Sequence, residues 1–356
     1  MLDIVGFRAG LVGLGLAFAL MAPRAETITG AGSFASGPIY KTWAGEFAKS
    51  NGHQLAYQAI GSNAAMAKLA KREVDFGSSD VMATADELKK NDWVMVPTAL
   101  TGVVPVINLP SVASNALRLD GERLVRIYLG QITHWDAPEI RALNPDVKLP
   151  ALPIKLVVRS DFAGANFYVS DYFSQISPEW KQRKGVAPRI DWGAGTLPVT
   201  STSAVSETVR NTPGAIGWID FNNAQDDGLA MATLRNADGQ FVAAGAEGFR
   251  EAAVRSGWFT AGDFSASLTN RAGARSWPVT MATYIAVPRV AQKKESTELA
   301  LRFITWGYLH GDSLARQARF VPLPAKVQAS AFREIARVTG PQGEALGVGV
   351  VAGAMK

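Results

Sequence analysis

Cysteine is absent from all 356 residues. That excludes disulfides, thiol nucleophiles, cysteine-held metals and the lipid-modified cysteine that tethers many exported proteins. Histidine is nearly as scarce: His53, His134 and His310 are the only ones, they lie far apart, and they form no metal-ligand spacing. No metal and no cofactor is therefore expected. Gly-Lys-Ser and Gly-Lys-Thr do not occur, which rules out a nucleoside-triphosphate loop. Lys and Arg outnumber Asp and Glu by 36 to 31, but the basic residues are scattered and no basic stripe alternates with aromatics. Nucleic acid is not an expected partner. Beyond the first 25 residues no apolar run is long enough for a bilayer helix.

What is present describes a globular protein. Hydrophobic residues make up 47% and charged residues 19%, and the length suits two domains of ordinary size. Residues 1–25 have the layout of a signal peptide: Arg8, then Ala9 to Ala22 without a charge, then Pro23-Arg24-Ala25. With no cysteine to acylate, the expectation is a soluble, exported, periplasmic protein that is not a lipoprotein.

Strands alternate with helices along the remainder, which predicts an α/β fold with mostly parallel sheets. Ile39, Tyr40, Trp43 and Phe47 recur at helical spacing after Pro38, so a helix runs from about Pro38 to Lys49 with that stripe inward. Val94 to Asn108 is apolar and β-branched but interrupted by Pro and Gly, and reads as two extended segments crossing between domains. Met231 to Val242 reads as a hairpin around Ala237-Asp238-Gly239. The glycine-rich tail from about Gly343 is expected to be frayed.

Ile154 to Phe167 is the stretch around which the chain is organised. A buried strand, Ile154 to Val158, leads into Arg159-Ser160-Asp161 and a helix start, offering a guanidinium and free N–H groups to an anion. Gly30-Ala31-Gly32-Ser33 and Gly61-Ser62 repeat this plan, which implies one shared ligand. Each element also has an ordinary reading: Arg159 as an ion pair with Asp161 at the rim, and Ser78-Ser79-Asp80 as the cap of the next helix. Gly311-Asp312-Ser313-Leu314 matches the short motif of a serine esterase family, but no histidine follows His310, so a helix-to-helix corner is the expectation and no catalytic residue is assigned.

In these motifs, taken in order from Ile28-Thr29 to Val321-Pro322-Leu323-Pro324, the chain resembles the PstS family, the periplasmic phosphate-binding proteins of ABC transporters. The resemblance implies a two-lobed periplasmic-binding-protein fold with a hinge, one lobe being 26–105 with 277–356 and the other 106–276. It implies that inorganic phosphate or a related oxyanion is held in the cleft and delivered to a membrane ABC permease by a monomer. By that likeness Ser33, Phe34, Ser62, Asp80, Arg159, Ala163, Gly164 and Ala165 contact the anion, with Asp161 behind Arg159. Asp80 would accept a hydrogen bond from a protonated anion and so reject sulfate. The family usually reads Arg-Ser-Asp-Gly-Ser-Gly-Thr, whereas this chain has Phe162 for the first glycine and Ala163 and Ala165 for the hydroxyl residues. Asn166 or the run Thr200-Ser201-Thr202-Ser203 is expected to supply substitutes. A noncatalytic sensor or interaction protein with a weakened or retuned anion site is the alternative.

Overall fold

The computed structural model describes residues 26–354; the expected export signal, 1–25, lies outside them. The strands, in chain order, are β1 (Thr27–Gly32), β2 (Gln54–Ala59), β3 (Phe76–Ser79), β4 (Trp93–Ile107), β5 (Arg118–Leu119), β6 (Lys155–Arg159) and β7 (Leu197–Val199). They continue with β8 (Ala215–Asp220), β9 (Ala230–Met231), β10 (Thr233–Arg235), β11 (Phe241–Val242), β12 (Thr280–Pro288) and β13 (Val321–Pro322).

The main sheet runs β2-β1-β3-β12-β4-β8-β6-β7, with β9 and β13 also on β4. β1, β2 and β3 are parallel at one end, and β6, β7 and β8 are parallel at the other. β4 and β12 join the two groups by antiparallel pairing. β12 covers β4 from Trp93 to Gly102, and β8 takes over from Val103 to Ile107. The crossing is thus one continuous strand of 15 residues, buried at every position, and not the two segments that its Pro and Gly suggested. Pro97 is tolerated because it faces a register shift between Thr283 and Tyr284, where the ladder is already interrupted.

The helix Gly37–Asn51 lays Ile39, Tyr40, Trp43 and Phe47 into the core as its spacing predicted. Trp43 is anchored at its polar end by Nε1–H donating to Gly311 O at 3.1 Å. The helices Lys294–His310 and Asp312–Gln317 meet at Gly311, so the Gly-Asp-Ser-Leu motif is a helix-to-helix corner. β10 and β11 form the expected hairpin. The tail corrects the expectation of fraying: Leu346–Ala354 is a helix with Leu346, Gly347 and Val350 buried. Gly347 sits so tightly on the preceding helix that a Cβ there would lie 2.0 Å from Ile335 O. Apolar burial therefore orders a segment whose glycine content argued against it. The helix Ala246–Val254 and the turn after it pack on β4 and β12: Phe249 lies over Gly102, and Trp258 meets Tyr284 edge-on at 5.7 Å.

Candidate anion-binding site

Parallel strands present their carboxyl ends, and the helix starts that follow them, to one crevice. Ser33 follows β1, Ser62 follows β2, Asp80 follows β3, Arg159 ends β6, Thr202 follows β7 and Asp220 ends β8. All six line one small cavity, about 20 Å³ open to the centre of a water molecule. Such a space admits a small ion and excludes a sugar or an amino acid.

Gly61 makes the first helix start possible. It caps the helix Ser62–Ala70 with φ of +89°, a backbone that a side chain would strain. The Ser62 hydroxyl accepts from the Asp80 N–H at 3.3 Å, so its own proton is free to be donated. Ser33 is held from behind by a buried hydroxyl network. Tyr57 OH donates to Ser33 O at 3.0 Å, and Ser36 bridges Tyr57 and Ser78 at 3.1 and 3.0 Å. Burial in that network pushes Tyr40 up to about 12, so its phenol stays neutral.

Asp80 is not a helix cap. Thr84 and Glu87 form the capping box of the next helix, which leaves the Asp80 carboxyl for the cavity. Its Oδ2 accepts from Ser33 Oγ. Among the described residues no donor reaches its buried Oδ1. Burial pushes the carboxyl up to about 7, and the charge of nearby Asp220 adds to the rise against the Ser33 hydrogen bond. Asp220 is itself raised, again chiefly by burial.

Arg159 is buried and gripped side-on by Asp161, with Nε to Oδ1 and Nη2 to Oδ2 both 2.6 Å. The ion pair is real, and Arg159 lines the cavity as well, because its Nη1 reaches Thr202 Oγ1 at 3.2 Å. Such a grip fixes the plane of the guanidinium fork.

The helix Gly164–Ile176 starts at the cavity with Ala163 as its cap residue and no side-chain cap bond. Gly164 and Ala165 are its first two residues, so their N–H groups have no partner within the helix. Ala163 differs: its N–H donates to Pro188 O at 2.9 Å, leaving only its methyl to the cavity. Asn166 supplies no substitute donor, since its Nδ2 is held by the carbonyls of Arg159, Asp161 and Pro188. The Thr200 to Ser203 run does reach the cavity, through Thr202.

The structure thus brings Ser33, Phe34, Ser62, Asp80, Arg159, Ala163, Gly164 and Ala165 to one place. Sequence reading missed Asp220, the last residue of β8. Its position at a carboxyl end, directly before a helix, was the available signal. Among the described residues no group of acidic and histidine side chains could hold a metal ion, and no helix is long and apolar enough to cross a membrane.

Comparison with known proteins places the chain in a family. A PBP superfamily domain matches residues 19–308. The phosphate-binding protein PstS of Pasteurella multocida is 36% identical over 320 residues, 90% of this chain and 93% of that protein. That of Haemophilus influenzae is 35% identical over 85% of this chain and 91% of its own length. Among solved structures, the phosphate-binding protein of Stenotrophomonas maltophilia superposes with a TM-score of 0.63 at 18% identity, over 86% of this chain and 93% of that one; at that identity the likeness speaks for the fold. The two-lobed α/β architecture expected from the motifs is the one found, and the chain belongs to the PstS family of phosphate-binding proteins.

Proposed function

We propose that this protein is a periplasmic receptor that binds inorganic phosphate between its two lobes and delivers it to a membrane ABC permease. The observation that carries the reading is the pairing, in one small cavity, of the Arg159 fork with an Asp80 carboxyl oxygen that no donor among the described residues reaches. A cation alone would take any anion. An unpartnered carboxyl oxygen beside it repels an anion that has no proton to offer and accepts one that has.

Ser62 donates through its hydroxyl, Gly164 and Ala165 donate through their amides, and Arg159 donates through its remaining N–H groups. Phe34 and Ala163 form wall. Ser33 acts on the anion through Asp80, since its hydroxyl proton is directed there. Asp161 positions Arg159 and does not touch the ion. Thr202 replaces one of the hydroxyls that the family pattern places at Ala163 and Ala165.

The hinge lies where β4 passes from β12 to β8, near Gly102 and Val103, and where Trp277 Nε1 donates to Val103 O at 3.0 Å. One lobe is built on residues 26–105 with 277 onward and the other on 106–276, except that the packing of Phe249 and Trp258 supports assigning 246–264 to the first. Closure about a hinge is compatible with a monomer that is free in the periplasm.

Calorimetry of the mature protein, freed of bound anion, against phosphate, arsenate and sulfate tests the proposal. Phosphate is expected to bind one to one, sulfate not to compete, and Arg159→Ala to abolish the heat. A folded protein silent towards phosphate would leave the sensor or interaction protein as the better reading.

A further inference from the structure

The anion cavity carries one acid more than recognition through Asp80 requires. Asp220 ends β8, is buried, and lines the cavity together with Asp80 and Arg159. Among the described residues these three are the ionisable members of the wall. They come from three strand ends, those of β8, β3 and β6.

Their charges do not balance. The Arg159 fork is already matched by Asp161, its ion-pair partner at 2.6 Å, and no other Lys or Arg among the described residues lines the cavity. What reaches the two acids is neutral: Ser33 Oγ donates to Asp80 Oδ2, and Asn223 Nδ2 donates to Asp220 Oδ2. The Tyr168 and Tyr284 phenols also lie near Asp80, and burial raises both so that they stay protonated and add no charge. Two ionised carboxyls beside a phosphate ion would therefore crowd three negative groups around one guanidinium that already has a partner. Like charges in a buried site do not all stay ionised. A proton between a carboxyl and the anion replaces each repulsion with a hydrogen bond. Asp80, with its Oδ1 unreached by any donor among the described residues, takes one such proton. Asp220 calls for a second, which an anion carrying a single proton cannot supply.

We propose that Asp220 is a second specificity-determining acid of the anion site, and that the complex holds two protons between phosphate and the carboxyls of Asp80 and Asp220. Dihydrogen phosphate brings both protons with it. Hydrogen phosphate brings one, and the other is taken up from water as the complex forms. This deepens the phosphate-receptor reading and rests on it. One proton taken up per anion makes the affinity fall about tenfold per pH unit in the alkaline range.

The test is calorimetry of the mature protein with inorganic phosphate at pH 8 and pH 9, in buffers of different ionisation heat so that protons are counted. The parent protein is expected to take up close to one proton per anion at pH 9 and to bind about tenfold more weakly there than at pH 8. Asp220→Asn and, separately, Asp220→Ser are expected to take up none and to hold their affinity within about twofold between the two pH values. Phosphate binding by the parent without proton uptake overturns this inference and leaves the receptor reading standing. Uptake that persists in the neutral variants also overturns it, because the second proton then belongs to another group. Loss of binding in both variants, with melting curves like the parent's, overturns it as well, since removing a repelling acid should not weaken the complex. Silence of the parent towards phosphate overturns both readings.

Discussion

Gly164 touches Asp80 across the cleft: a Cβ added at Gly164 would stand 2.5 Å from Asp80 Cβ. The two residues come from opposite ends of the main sheet, one from the helix after β6 and the other from the loop after β3. Their contact is therefore one place at which the two halves of the main sheet meet beside the cavity.

Gly164→Ala is accordingly expected to obstruct closure while leaving each lobe intact. The first turn of a helix accepts alanine readily, so the thermal midpoint of the ligand-free protein should hold. Phosphate affinity should fall by about tenfold or more, the equivalent of about 1.4 kcal/mol or more. Calorimetry beside a melting curve separates the two effects, and unaltered affinity would show that the lobes do not need this contact.

Asp80 makes the stability of the ligand-free protein depend on pH. Its carboxyl, pushed up to about 7 by burial, keeps a proton in the folded state over the range in which the unfolded chain has lost it. The folded state binds more protons there, so this group's contribution falls as pH rises from about 4 to about 7 and is level above. A rise from 3.8 to about 7 corresponds, at about 1.4 kcal/mol per pH unit, to ~4 kcal/mol. Asp80→Asn should therefore gain stability over the parent protein as pH rises, most at pH 8 and little at pH 4. Urea unfolding of both proteins at those two values measures the difference, and a gap that stays constant with pH would contradict the assignment.

Asp220 shares the cavity with Asp80, and its charge adds to the rise in the Asp80 carboxyl. Asp220→Asn removes that charge and keeps the shape. The Asp80 carboxyl should then titrate at lower pH, nearer the ordinary carboxylate range, which carbon-detected NMR of labelled aspartate can follow. An unmoved titration would mean that the two carboxyls are electrically separate.

Restoring the family's hydroxyls tests what their loss cost. Ala163 occupies the cap position, where a serine is favoured on its own account, and Ala165 lies in the first turn. With Thr202 standing in for one of the two hydroxyls, Ala163→Ser combined with Ala165→Thr should tighten inorganic phosphate by about tenfold to ~10²-fold, one hydroxyl bond to a charged ligand being worth about 1.5–3 kcal/mol. Unchanged phosphate affinity would show that other groups already do the work of the missing hydroxyls.

Much of the molecule was legible from the chain by itself. β-branched runs followed by small or hydroxyl residues marked the strand ends from which Ser33, Ser62, Asp80 and Arg159 are presented, because a buried parallel strand and a helix start each leave a local signature. The helix stripe of Ile39, Tyr40, Trp43 and Phe47 is likewise a matter of spacing. Packing decided the rest. Pro97 and Gly102 read as breaks, yet β4 runs through them, since a bulge absorbs one and Phe249 covers the other. The Leu346–Ala354 helix forms against neighbours that no local pattern names. The Ala163 N–H and the Asn166 amide looked available, and carbonyls from other segments had already taken them. Asp220 joined the anion site only because β8 and β3 end at the same crevice from opposite halves of the sheet. The sequence determines where the strands end and which groups they carry; which of those groups are left free for a ligand depends on contacts between residues far apart in the chain, and only the tertiary structure decides that.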